Sequence, residues 1–232
     1  MTPKTKILLE STGLGFLAGY VDTLGFVALF GLFTAHVTGN FVLIGASLTR
    51  ESNSGLLIKF MAFPAFVIGI AIVRLLVMKC SSHSNKTHVT QIAIAIQIFL
   101  LTSFMATGVH ASPIGNEQTP FLIFCGMLGA AAMGVHSAYT RLLMTHLPPT
   151  SMMTGNVTQI VLDILELLLG KGDVNTRKRI GKFFWPVAAF AIGAMGAAMG
   201  YIQFGFWALL LPISILFGLL FIEQSDTAST QE

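Results

Sequence analysis

Six stretches of the chain are apolar for long enough to cross a bilayer. They run roughly over 8–33, 56–78, 89–108, 120–143, 183–205 and 206–222. A span needs about 20 mainly apolar residues, and in lipid every backbone polar group must be paired within the segment, so such spans are helices. The predicted fold class is therefore all-α, a multi-pass transmembrane helical bundle of about six spans. Composition agrees: 10% of the 232 residues are charged, against about 25% in soluble domains, and the mean hydropathy is +0.78. The last two stretches nearly touch, which calls for a tight turn at 203–205. Lys4 and Lys6 ahead of an apolar run resemble a secretory leader. That run is long, holds Asp22 and has no clear cleavage site after it, so it reads as a retained first span.

Two shorter apolar segments, 37–48 and 152–170, each begin at the tripeptide Thr-Gly-Asn, at Thr38–Asn40 and again 116 residues later at Thr154–Asn156. They are too short or too polar for confident spans and read as re-entrant or interfacial helices. The second carries Asn156, Gln159, Asp163 and Glu166 at helical spacing, one polar stripe facing water or a cavity.

Aligning the tripeptides brings other segments into register. "GYVDTLGF" at Gly19 stands opposite "GVHSAYTR" at Gly134, and "KFMAFP" at Lys59 opposite "KFFWP" at Lys182. The chain then reads as one membrane domain, 1–232, holding two pseudo-symmetric repeats, about 8–111 and 118–225, with a disordered tail at 226–232.

Each tripeptide has a physical reading. The hydroxyls of Thr38 and Thr154 can cap a helix start. Gly39 and Gly155 let a backbone or ligand approach. Asn40 and Asn156 offer donor and acceptor together. Paired broken helices in two halves point to a midplane binding site, whereas caps alone would only turn the chain between packed helices.

Basic residues collect in cytoplasmic loops. With a cytoplasmic N-terminus, six spans put eleven of the thirteen Lys and Arg residues inside, leaving Arg50 and Lys59 out; eight spans put nine inside. The vote favours six spans and inverted halves in the cell inner membrane.

Asp22 falls near the middle of the first span, where a carboxylate must be paired, hydrated or protonated. It is either a coupling or substrate group or a hydrogen-bonded packing group. His136 and Ser137 hold the matching place in the second half. Arg141, one turn on, either supplies a cation or snorkels to the surface. His36 and His136 make no metal set, and Cys80 and Cys125 make no metal or redox spacing. GxxxG pairs at Gly15/Gly19 and Gly196/Gly200 read as close helix contacts. No nucleophile elbow, zinc motif or phosphate loop is present, so neither enzyme nor cofactor is expected. The basic residues follow no aromatic groove, so no nucleic acid is expected either.

The segments "AGYVDTLGFVALFGLFTAHVTGN" and "GVHSAYTRLLMTHLPPTSMMTGN" resemble the YoaK-type family of bacterial membrane proteins, domain of unknown function 1275, over about 8–222. The family usually has Gln-Asn where this chain has His136-Ser137. The resemblance implies a small inner-membrane protein of about six spans and no settled function. The expected function is that of a small transporter or permease-like protein, in contact with the bilayer and open to homodimerisation. It would bind a small polar or anionic solute at Asp22, His36, Thr38, Gly39, Asn40, His136, Ser137, Thr154, Gly155 and Asn156, with Arg141, Gln159 and Asp163 as secondary candidates. The alternative is a structural or accessory membrane protein whose duplicated motif only packs helices.

Overall fold

The computed structural model describes residues 2–49, 55–80, 86–115 and 119–229. Its elements are α1 (Pro3–Ala28), α2 (Val37–Ser47), α3 (Leu56–Lys79), α4 (Lys86–Ala111), α5 (Pro120–Leu142), α6 (Met153–Leu168), α7 (Val174–Phe204), a 3-10 turn (Gly205–Leu209) and α8 (Leu210–Ser229). The described residues contain no strand. The protein is an all-helical membrane protein. Four stretches are long and apolar enough to cross a bilayer: α3, α4, α5 and the continuous Val174–Ile222. The chain breaks within that last stretch where expected, at Gly205, whose φ of 56° suits glycine. At 1.5 Å per residue the 11 residues of α2 reach about 16 Å, half of a hydrocarbon core.

Helix starts follow local chemistry. Thr2 and Thr119 cap α1 and α5, each ahead of a proline that needs no N–H partner. Asp173 caps α7 through a reciprocal pair with Thr176, whose N–H donates to the Asp173 carboxylate at 2.7 Å. Two boundaries differ from the sequence reading. The first helix stops at Ala28, not near 33, because Phe30 and Gly31 take left-handed φ values of 51° and 73° and turn the chain back. At the other end α8 continues to Ser229, into the expected tail; residues 230–232 of that tail lie outside the described residues.

Packing crosses between the two halves of the chain. The helices that α1 packs on, chiefly α7 and then α8 and α5, all come from the second half. Gly15 meets the backbone of Pro186 and Gly19 that of Phe190, so α1 and α7 run in the same direction; Gly193 in turn meets the Phe16 carbonyl. The same contact recurs between α5 and α3, where Gly134 meets the Phe66 carbonyl and Gly69 that of Ala131. Small residues allow this approach in lipid, where packing rather than water exclusion drives helix association. Of the expected GxxxG pairs, Gly15/Gly19 makes backbone contact, while Gly196 and Gly200 lie against the Tyr20 ring. The outer surface is apolar, with Phe60, Ile68, Phe99, Phe124, Ile202 and Phe221 exposed.

Candidate functional site

Two loop-and-short-helix units hold most of the buried polar groups. In the first, the chain leaves α1, doubles back alongside it through residues 29–36 and enters α2. Asp22, six residues before the end of α1, receives the returning chain. Its Oδ1 accepts from the backbone N–H groups of Thr34 and Ala35, both at 2.7 Å, and of His36 at 3.4 Å; its Oδ2 lies 2.7 Å from His36 Nδ1. A buried carboxylate that accepts several N–H bonds is fully satisfied. The same carboxylate therefore shapes the loop. Asn40 clamps the loop from the other side. Its Oδ1 accepts from Phe33 N–H at 2.9 Å and its Nδ2 donates to the Phe33 carbonyl at 2.8 Å.

The second unit has the same layout with different groups. His136 also lies six residues before the end of its helix, α5, and its Nε2 stands 3.0 Å from Thr150 Oγ1. His136 Nδ1 faces Gln97 Nε2 at 3.3 Å and the Tyr139 hydroxyl at 3.4 Å. All four side chains are buried, and Gln97 Oε1 has no partner among the described residues. Asn156 clamps residue 149, seven back, as Asn40 does residue 33: Nδ2 donates to the Pro149 carbonyl at 2.7 Å. Proline has no N–H, so one bond stands where the first unit has two.

The tripeptides thus work through their asparagines. Thr38 and Thr154 are not caps: the capping positions are His36 and Met152, and neither gives a side-chain bond. Both threonines sit second in their helices and face outward. Gly39 lies against the Phe33 ring, and Gly155 has open space around it. The two tripeptides are also apart, since α2 packs on α3 and α6 on α7.

Within the polar stripe of α6, Asp163 faces α7 rather than water, while Glu166 stays exposed and Asn156 turns to its own loop. Asp163 is fully buried and gripped by Arg179, with Nε–Oδ2 2.8 Å and Nη2–Oδ1 2.6 Å, while Gln159 Nε2 donates to Oδ1 at 2.8 Å. The Arg179 hydrogen bonds hold the Asp163 carboxyl below the usual carboxylate range. Gln159 and Asp163 therefore tie α6 to α7.

A cavity of about 400 Å³ opens between the end of α5 and the loop that enters α6, lined by Ser137, Thr140, Arg141, Thr145 and residues 147–152. Arg141 is exposed there with no ion-pair partner among the described residues. Beside the cavity, His146 Nε2 lies 3.0 Å from Glu10 Oε2 on α1, and Lys6 Nζ 3.5 Å from Glu10 Oε1. No group of three or more metal-ligating side chains occurs among the described residues.

Sequence reasoning passed over Glu10, Gln97, Thr34 and Thr150. Glu10 had a signal, being a second acid in the first apolar stretch. The threonines had a clearer one: the repeated motif is Thr-x-x-x-Thr-Gly-Asn, starting at Thr34 and Thr150.

Apolar helices joined by short half-helices with buried polar anchors define a polytopic helical membrane protein. The chain belongs to the family described as "Protein of unknown function (DUF1275)", whose model matches residues 11–222. It is similar to the UPF0700 transmembrane protein YoaK of Bacillus subtilis (strain 168), at 25% identity over 205 residues, 88% of each chain. No solved structure matches it significantly.

Proposed function

We propose that the protein is a small permease-like transporter of the bacterial inner membrane. Two related halves of opposite orientation, about 8–111 and 118–225, each give a loop and a half-helix to a polar passage. One observation carries this reading. Each half has a buried polar side chain six residues before a helix end, Asp22 or His136, that meets a loop threonine, Thr34 or Thr150. Each also has an asparagine that clamps the loop residue seven before it. Secondary transporters build solute sites from interrupted helices at matching places in two halves. The length of α2 supports re-entry, as do Lys171, Arg177, Lys178 and Lys182, all exposed at the mouth of the α6–α7 hairpin, where a cytoplasmic loop would gather them. In this reading Asp22, His36, Asn40, His136, Ser137 and Asn156 flank the passage. Thr38, Gly39, Thr154 and Gly155 form its outer edge.

Single-cysteine labelling tests it. Cys80 and Cys125 become Ser, and one of Thr49→Cys, Asn175→Cys or Ser137→Cys is then introduced. An impermeant thiol reagent should reach the new thiol at position 49 only from outside and that at position 175 only from inside. The thiol at position 137 should be reached from either face in turn. Protection at position 49 from outside would mean parallel halves, and access to position 137 from one face only would end the permease reading.

The second reading, a structural membrane protein, is favoured by one observation: the polar atoms of Asp22 and Asn40 are all bonded to their own loop. It predicts one-sided access and loss of stability alone on substitution.

A further inference from the structure

We propose that the second unit binds a small oxyanion, a carboxylate or phosphate group, in the place that the Asp22 carboxylate fills in the first. This deepens the permease reading by naming a substrate class, and as a statement about transported solute it rests on that reading.

The register between the units is fixed by two independent marks. Asn40 holds residue 33 and Asn156 holds residue 149, each seven back. The last residue before each short helix is His36 or Met152. Thr34, Ala35 and His36 therefore correspond to Thr150, Ser151 and Met152. In the first unit those three successive N–H groups converge on one carboxylate oxygen. In the second, none of the three N–H groups has an acceptor among the described residues. Aligned on the packing glycines Gly19 and Gly134, the place of Asp22 belongs to Ser137, whose hydroxyl makes no hydrogen bond among the described residues, while His136 beside it reaches the Thr150 hydroxyl. Buried N–H groups rarely go unpaired, and Thr150 and Ser151 are 1% and 9% exposed.

What stands beside these donors is the 400 Å³ cavity, a volume within the range of small-ligand sites. Its lining has no Asp or Glu and one cation, Arg141, with five N–H donors and no acceptor. The hydroxyls of Ser137, Thr145 and Ser151 make no hydrogen bond among the described residues, and Ser151 as a residue is nine-tenths buried on the cavity wall. The Pro149 carbonyl, an acceptor on the same wall, is taken by Asn156. The start of α6, with no side-chain cap, adds the positive end of a helix. The wall offers donors and a positive charge, and lacks a negative one.

The full chain, purified in detergent, would be titrated with potassium acetate and potassium phosphate against potassium chloride at matched ionic strength. In parallel it would be placed in nanodiscs of phosphatidylcholine with or without phosphatidylglycerol. The readout is calorimetric or thermal-shift binding. We expect saturable binding of an oxyanion. Arg141→Gln should weaken it about tenfold or more, the loss of a charge-assisted pair, and Arg141→Lys should restore part of it. Ser137→Asp supplies a carboxylate from within and should abolish it. Response to the soluble salts identifies a free solute, and response only to phosphatidylglycerol identifies a lipid headgroup; both bring the same oxyanion. No saturable response from any probe, or equal affinity in Arg141→Gln, overturns the site. Arg141 is exposed, so Arg141→Gln is informative even if Ser137→Asp fails to fold. Two-sided labelling of the Ser137→Cys variant reads the permease separately: an anion site can stand without it, and it can stand without the anion.

Discussion

Asp22 and His36 are joined ring to carboxylate at 2.7 Å, while the other carboxylate oxygen takes the N–H groups of Thr34 and Ala35. One side chain thus fixes the turn between a long helix and a half-helix. Replacing it by Ala leaves buried N–H groups without an acceptor, at about 1–3 kcal/mol per group. Asp22→Ala should lower the unfolding midpoint sharply, and Asp22→Asn, which keeps one acceptor oxygen, should lower it less. Equal loss in the two variants, measured by denaturant titration in micelles, would contradict this account.

Asn40 makes two bonds to Phe33, and Asn156 makes one to Pro149. Asn40→Ala should therefore cost more stability than Asn156→Ala, by about 1 kcal/mol, the net worth of one such bond. Thr38→Val and Thr154→Val, at outward-facing positions without side-chain bonds, should stay within about 0.5 kcal/mol of the parent. Thermal unfolding of the four variants side by side decides it.

A methyl group at Gly19 would collide with the Phe190 carbonyl, and one at Gly134 with that of Phe66. Gly19→Ala and Gly134→Ala should each cost about 1–3 kcal/mol or more, as overpacking does. Gly45 and Gly218 have open space where the methyl would go, so Ala there should be neutral or stabilising by up to about 1 kcal/mol. Denaturant titration of the four variants in micelles separates the two classes.

The Asp163–Arg179 pair predicts a pH dependence. Because Arg179 depresses the folded-state pKa of Asp163, the pair's contribution is present above the unfolded carboxyl value, about 3.9. It fades as pH falls below that value, through the lower folded one. Arg179→Met should be destabilised at neutral pH, with the gap to the parent closing in acid. A gap that stays constant from about pH 7 down to about pH 3, on either side of that carboxyl value, would show that the pair does not carry the effect.

Much of the bundle was legible because lipid imposes long apolar runs, and the break at Gly205 followed from a run too long for one span. The end of α1 was not legible: Leu29, Phe30, Leu32 and Phe33 are apolar in sequence, and only the left-handed turn at Phe30 and Gly31 makes them a loop. The site was half legible. Asp22 and the two asparagines stood out by chemistry. Their partners are mostly backbone groups, and a sequence does not print where a backbone folds back. The threonines of the tripeptides were misread as caps because capping is their commonest task at a helix start. The α6 stripe was seen, but the side facing Arg179 could not be told from one facing water without knowing that α6 and α7 form a hairpin.

The partnership of α1 with α7 bears on how the chain is made. Helix α1 carries Gly15 and Gly19, whose contacts are the backbones of Pro186 and Phe190, and every long helix that α1 packs on is synthesised after it, later than residue 119. While α3, α4 and α5 can settle against one another as they emerge, that glycine face stays without its main neighbour until α7 has been translated. Truncation before α7 would leave α1 without its main neighbour, so folding closes from α7 back onto α1.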